Sequence, residues 1–246
     1  MFHVKHCSDH PVKRVAFANP PQRGINKRRR LKYYFMRMRK KKHTDERIQA
    51  CIDYIYHDNM PAYDDKPVYP VCPVYLEIGC GKGDFICAMA QKFPDINFIA
   101  VEKISDVAVI AIEKAKNFNL PNVKFMIADA KNLADCFDSG QISRIYLNFS
   151  DPWHKRYQHN NRLTAPAFLE IYKKILNPDS KIILKTDNKD FFDYSVKSLS
   201  SNGFIIEHKT YDLYSSEFIE NNIQTEYERN FVSQGIKICY LEAILL

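Results

Sequence analysis

Short apolar runs recur along the chain from Val74 onward, at residues 74–78, 97–101, 123–128, 143–149, 181–186, 204–210 and 236–245. Segments with apolar positions at helical spacing lie between most of them, at 84–93, 105–118, 165–176 and 189–201. A parallel crossover has to carry the chain back over one face of a sheet, so this alternation predicts a mostly parallel sheet with helices on both faces. The last two runs depart from it. A polar stretch rather than a clear helix joins 210 to 236, and a closing antiparallel strand is expected. Upstream, "HTDERIQACIDYIYHDNM" carries Ile48, Cys51, Ile52 and Ile55 at i, i+3, i+4 and i+7, which predicts a helix capped by Thr44 or Asp45. A proline-rich connection, "PAYDDKPVYPVCP", leads from it to the first strand. The chain thus divides into an extension at 1–35, a segment at 36–73 and one α/β domain at 74–246.

Charge sharpens that division. The net charge is +7, yet residues 1–42 hold 14 Lys and Arg against one acidic residue, Asp9. The remaining residues hold 22 basic and 28 acidic side chains, a sum of −6, so the basic character belongs to the N-terminal segment. Residues 1–35 lack helical or strand periodicity and read as a disordered, basic extension. It has three competing explanations beside a bland solvated tail. They are an RNA-attracting arm, an organellar transit peptide, and translated sequence upstream of a start at Met36 or Met38. A single serine, Ser8, counts against a transit peptide.

The seven cysteines are odd in number, scattered, and without a Cys-x-x-Cys pair, which argues against disulfides or zinc and for a reducing compartment. The eight histidines show no metal-ligand spacing, so no metal is expected. No apolar run reaches the roughly 18–20 residues of a membrane span, and a soluble, cytoplasmic protein is expected.

Candidate chemistry begins at "YLEIGCGKGDF". Gly79, Gly81 and Gly83 stand between the first strand and the following helix, where a ligand can approach the backbone. A dinucleotide fingerprint would need glycine at 84, but Asp84 stands there, which does not suit a phosphate ligand. Glu102, 19 residues beyond Gly83, ends the second strand and can accept hydrogen bonds from both hydroxyls of a ribose. Asp129 ends the third strand, within reach of an adenine amino group. With Glu77 and Asp151, carboxylates fall at or just beyond four strand ends. A crevice so lined favours a cationic nucleoside over a polyphosphate, and S-adenosylmethionine has the required sulfonium, ribose and adenine.

These residues resemble the class I, Rossmann-like methyltransferases. "RIYLNFSDPWHK" further resembles the signature of the bacterial tRNA (guanine-N7-)-methyltransferases, the TrmB family, N-F-x-D-P-W-x-K followed by a basic segment ending in R-L. Asn148, Phe149, Asp151, Pro152, Trp153, Lys155, Arg162 and Leu163 match it. "LKTDN" with Asp187, "QTEYERNF" with Thr225, Tyr227 and Glu228, and the basic "MRMRKKK" at 36–42 match in order, so the resemblance covers about residues 36–246. His154 stands where the family usually has proline, and Gln158, His159, Asn160 and Asn161 dilute the basic run.

The resemblance implies a seven-stranded, mostly parallel sheet with an antiparallel last strand. It implies S-adenosylmethionine held by Glu77, Gly79, Gly81, Gly83, Glu102, Asp129 and Asp151, with Asp151 catalytic. It implies tRNA held by Lys155, Asp187 and the segment Thr225, Glu226, Tyr227 and Glu228, with methyl transfer to N7 of the variable-loop guanosine, position 46 in conventional tRNA numbering. Lys155, Arg156 and Arg162 would hold phosphate, and Trp153 either stacks on a base or packs its loop. No obligate protein partner is implied, and the protein would act as a monomer or homodimer.

Plainer roles compete at three places. Glu77 could be satisfied by backbone groups, Asp187 could cap the following helix, and 225–228 could be a surface turn. A nicotinamide-dependent dehydrogenase, a non-catalytic RNA-binding relative, and a class I methyltransferase with another RNA or small-molecule substrate are the rival functions. Asp84 and the antiparallel last strand speak against the first. The acidic set from Glu77 to Asp151 speaks against the second, and residues 155–162 and 225–228 against the third.

Overall fold

The computed structural model describes residues 43–56 and 73–245. Seven strands form one sheet: β1 (Val74–Ile78), β2 (Asn97–Glu102), β3 (Val123–Ile127), β4 (Ile142–Asn148), β5 (Leu176–Thr186), β6 (Phe204–Thr210) and β7 (Cys239–Leu245). Their order is β3-β2-β1-β4-β5-β7-β6. Strands β1 to β5 pair in parallel, and β7 is antiparallel to both β5 and β6, as the polar connection before it predicts.

Both faces of the central strands are buried, which is why their sequences read as continuous apolar runs instead of alternating ones. Along β2, Ile99 and Val101 face one core with α5 (Pro166–Ile175) and α6 (Lys189–Ser201), while Phe98 and Ala100 face the other with α2 (Asp84–Lys92) and α3 (Ser105–Asn117). On the first side Leu169, Tyr172, Phe191 and Phe192 fill the layer; on the second, Phe85, Ile86, Ala108 and Ile112. Each Leu, Ile or Phe among them stabilises the fold by about 1.5–3 kcal/mol on burial.

Three local expectations need correction. The helix expected after His43 stops early: α1 runs only Thr44–Gln49, followed by a 3-10 turn at Ile52–Tyr54, and Ile55 then forms a parallel bridge with Phe125 of β3. Cys51 and Ile55 are buried through that turn, and Ile52 is left exposed. Nor does Thr44 or Asp45 take the N-cap position, which His43 occupies without a side-chain cap. The Thr44 hydroxyl donates to Asp106 instead, and Arg47 forms a two-pronged pair with Glu113 at 2.7 and 2.6 Å, so α1 is held by α3.

A short helix, α4 (Leu133–Cys136), lies between β3 and β4. After the early stop and the cap, the third correction is α7 (Glu226–Ser233), preceded by 3-10 turns at Leu213–Ser215 and Glu217–Asn221, where a polar loop is expected. Glu228 is the residue of α7 that is buried, so the helix carries no apolar stripe to betray it. The expectations for residues 1–42 and for the proline-rich connection through Cys72 lie outside the described residues.

Candidate active site

From β1 the chain builds outward to β2 and β3, then returns to lay β4 on the other side of β1. The C-terminal ends of β1 and β4 therefore diverge into a crevice, the place where open α/β sheets bind ligands. Glu77 sits in it on β1, 2% exposed, with Oε1 accepting from Asn148 Nδ2 at 2.9 Å. Its Oε2 has no partner; neither do the Asn148 Oδ1 and Ser150 Oγ beside it, all three being buried. A backbone-satisfied strand carboxylate would look different. Burial pushes the Glu77 carboxyl up to about 7, against the pull of Asn148 and of the Lys185 ammonium.

The glycine loop adjoins this carboxylate. Gly79 and Gly81 have φ of 80° and 56°, and a Cβ on either would meet nothing within 4 Å, so the backbone opens onto free space. Gly83 is different. A Cβ there would lie 2.6 Å from Ala111 Cβ and 3.1 Å from its Cα, so this glycine lets α3 pack against the loop and does not face the crevice. Four of the loop amides are already engaged: Gly79 and Cys80 donate to Val101 O, Gly83 to Cys80 O, and Gly81 to Glu102 Oε2 at 3.1 Å. They form no phosphate cradle, and Asp84 at the start of α2 is paired with Lys114 at 2.5 Å.

Glu102 Oε1 accepts from Ile104 N at 2.9 Å, so each of its oxygens has one bond and keeps a lone pair free. Asp129 caps the 3-10 turn Ala130–Asn132 through Lys131 N and binds Lys103 Nζ at 2.8 Å. Burial works to raise its pKa, but those two donors hold the carboxyl below its ordinary range.

The loop after β4 is strained and clamped. Phe149 and Trp153 have φ of 51° and 45°, a left-handed conformation that costs bulky residues about 1–2 kcal/mol each. Three contacts impose it. Phe149 N donates to Lys185 O at 2.8 Å, the Phe149 ring stacks on Phe231 of α7, and Arg162 Nε and Nη2 donate to the carbonyls of Pro152 and Trp153. Arg162 is 5% exposed and lies over the Tyr194 ring. In place of the expected phosphate contact, its Nε and Nη2 are engaged in shaping the loop and little of the residue is exposed. Trp153 is half-buried in that turn, while Asp151, Lys155 and Arg156 are exposed. Asp151 makes no hydrogen bond or ion pair among the described residues. Lys155 Nζ stands 6.0 Å from the centre of the Tyr157 ring.

At the end of β5, Asp187 does not cap α6; Asn188 does, accepting from Phe191 N at 2.8 Å. Nor are residues 225–228 a surface turn. Thr225 and Glu228 form a capping box at the start of α7, and both are buried, Glu228 completely. Neither offers a surface to a substrate, whereas Tyr227 is 63% exposed and Glu226 reaches Lys82 of the glycine loop at 3.1 Å. A recess of about 530 Å3 lies between loop and helix, lined by Lys82, Glu226, Tyr227, Arg229 and Asn230.

The residue that sequence reasoning passed over is Lys185. It is 2% exposed and donates to Glu228 Oε2, Ile223 O and Asn222 Oδ1 at 2.7, 2.8 and 2.9 Å. A lysine inside the apolar run "KIILKT" was the available signal.

An open glycine turn after β1, carboxylates at the ends of β1 to β3, a ligand crevice at the β1/β4 switch and an antiparallel β7 define a class I, Rossmann-like methyltransferase. A family model described as "Putative methyltransferase" matches residues 72–241. The tRNA (guanine-N(7)-)-methyltransferase of Clostridioides difficile (strain 630) is 40% identical over 211 residues, 85% of this chain and 98% of that protein. That of Geobacillus thermodenitrificans (strain NG80-2) is 41% identical over 217 residues, 85% and 97%. The chain belongs to the tRNA (guanine-N7-)-methyltransferase (TrmB) family. Among solved structures, the 16S rRNA methyltransferase KamB shares the fold at 13% identity, with a TM-score of 0.55 over 70% of this chain and 87% of that one.

Proposed function

We propose that this protein transfers the methyl group of S-adenosylmethionine to N7 of a guanosine in tRNA, at variable-loop position 46 in conventional tRNA numbering. The observation that carries the reading is the unpartnered, buried Glu77 Oε2 beside an open glycine turn, in a chain alignable with named relatives over nearly their whole length. A buried carboxylate with a free oxygen suits a cationic ligand, and loop amides already satisfied suit one without phosphates. S-adenosylmethionine, when bound, supplies a methyl on a positively charged sulfur. Glu77 faces its cationic end, Glu102 takes the ribose hydroxyls, and Asp129 takes the adenine amino group while keeping Lys103.

Guanine N7 has a free lone pair, so no general base has to remove a proton. The work of the protein is alignment, for which pre-organisation contributes up to roughly 7–11 kcal/mol. Methylated guanine is cationic at the ring, and the unpaired carboxylate of Asp151 stabilises that charge as it develops. The strained, clamped loop holds Asp151 in place. Lys155, Asp187, Glu226 and Tyr227 meet the tRNA, and Thr225 and Glu228 hold the segment that presents them. The domain at 74–246 carries the reaction, in the cytoplasm, without an obligate protein partner, as a monomer or homodimer.

The test is methyl transfer from labelled S-adenosylmethionine to two unmodified tRNA transcripts, one with guanosine and one with adenosine at position 46. Label on the guanosine transcript alone, as N7-methylguanine, is the expected result, with turnover cut at least about a hundredfold in a folded Asp151→Ala variant. Binding of S-adenosylmethionine with no label on either transcript would overturn the substrate, and wild-type turnover by the variant would overturn the role of Asp151.

A further inference from the structure

The buried cation at the end of β5 has no part in the scheme above, yet it joins both halves of the site. The register of the sheet explains how. Glu77 pairs with Tyr146 of β4, and Asn148, two residues on and so on the same face, pairs with Lys185 of β5. Glu77, Asn148 and Lys185 therefore form a row across one face of three neighbouring strands, at the crevice ends. Asn148 binds Glu77 at 2.9 Å, and the Lys185 ammonium lies 5.1 Å from the centre of the Phe85 ring, on the first turn of α2.

On its far side all three ammonium protons are used within the segment that precedes and begins α7: Asn222 Oδ1, Ile223 O and Glu228 Oε2. Glu228 is in turn saturated. Oε1 accepts from Tyr214 OH at 3.0 Å and Asn222 Nδ2 at 2.5 Å, and Oε2 accepts from Lys185 and from Thr225 N at 3.3 Å. A buried ion pair so placed adds little net stability, because its desolvation offsets the attraction. What it supplies is a single arrangement: 222–228 has one way to sit over β5, since any other leaves a buried charge unpaired.

We infer that Lys185 is a positioning residue for tRNA, acting through Glu228 to hold Tyr227 and Glu226 over the methyl-transfer site. The inference rests on the tRNA reading above and deepens it. It reassigns Glu228 from substrate contact to internal anchor. Tyr227 and Phe231 lie on one face of α7, at i and i+4. Because Phe231 stacks on Phe149, two residues before Asp151, the anchored α7 fixes Tyr227 one turn from that contact and beside Lys82 of the glycine loop.

The experiment compares Lys185→Met, Glu228→Gln and the double variant with the wild-type chain. It measures steady-state kinetics on tRNA, S-adenosylmethionine affinity by calorimetry, and thermal unfolding. The expected result is a fall in kcat/KM for tRNA of about 10–100-fold in Lys185→Met, as misplacement of a substrate-positioning group produces. Glu228→Gln, which keeps the side-chain shape, falls in the same direction with its S-adenosylmethionine Kd within about threefold of wild type. The double variant is no worse than Lys185→Met, because both changes remove one interaction.

Wild-type tRNA kinetics in folded Lys185→Met, additive losses in the double variant, or parallel loss of both ligands in Glu228→Gln would overturn the inference. Should Lys185→Met not fold, Glu228→Gln decides it alone. A wild-type protein that methylates no tRNA would remove the reading beneath it, an outcome distinct from all of these.

Discussion

Glu77 shows what a buried carboxylate with one unpartnered oxygen costs the empty fold. Burial raises its carboxyl to about 7, well above the ordinary carboxylate range, although Asn148 and Lys185 pull the other way. For an acid whose folded value is raised, the folded state holds the proton more tightly than the unfolded one. Stability is then present at low pH and is lost as pH rises from about 4.5 through about 7, by up to about 3 kcal/mol. A cationic ligand selects the ionised form and reverses that loss. Two measurements check this. The ligand-free protein should melt lower at pH 7.5 than at pH 5.5, and S-adenosylmethionine affinity should rise across the same interval. Glu77→Gln should flatten both profiles; a wild-type affinity profile in that variant would exclude Glu77 as the group responsible. The carboxylate was legible in the sequence from its place at a strand end, but its proton affinity was not, because that depends on burial in the packed fold, opposed by Asn148, 71 residues away.

At the scale of elements, the strands were legible and the connections were not. A strand buried on both faces announces itself as an apolar run, and β1 to β5 do so. The helix α7 buries a carboxylate instead of an apolar stripe, so periodicity misses it; Thr225-x-x-Glu228 is a capping box and was the one local signal. The loop after β4 divides its basic residues between two jobs that sequence cannot tell apart. Lys155 is exposed, and Arg162 is buried against two carbonyls. Lys155→Ala should leave the melting temperature alone and lower the slope of log affinity for tRNA against log salt by about 0.7–0.9. Arg162→Ala should do the reverse, keeping the salt slope while losing about 2–3 kcal/mol of stability and most turnover as the Asp151 turn relaxes. A reduced slope in Arg162→Ala would mean that this side chain reaches phosphate after all.

Over the whole molecule, charge is distributed against simple attraction. Residues from 43 onward sum to −6, and the 14 basic side chains of residues 1–42 account for the positive total. On the proposed reading, RNA affinity comes from local cations such as Lys155 and Arg156, with the basic N-terminal sequence adding long-range attraction. The family model spans 72–241, and the relatives align over 85% of the chain. Removal of residues 1–35 should therefore leave kcat within about twofold and weaken the salt dependence of tRNA binding, as fewer counterions are released. Inactivity of the truncated protein towards tRNA, with S-adenosylmethionine binding intact, would give the extension an essential part in substrate capture.

The sequence by itself determined the alternation of strand and helix, the glycine turn, the carboxylates at strand ends and the family. Each is a local pattern, read within a few residues or at fixed spacing, and each follows from backbone period or from side-chain chemistry alone. Only the tertiary structure decided that Lys185 meets Glu228 43 residues on, that Arg162 turns inward, that Gly83 packs against α3, and that Thr225 caps a helix. Those outcomes depend on which strands become neighbours and in what register. A buried polar group has to find its partner wherever the packed chain has placed one.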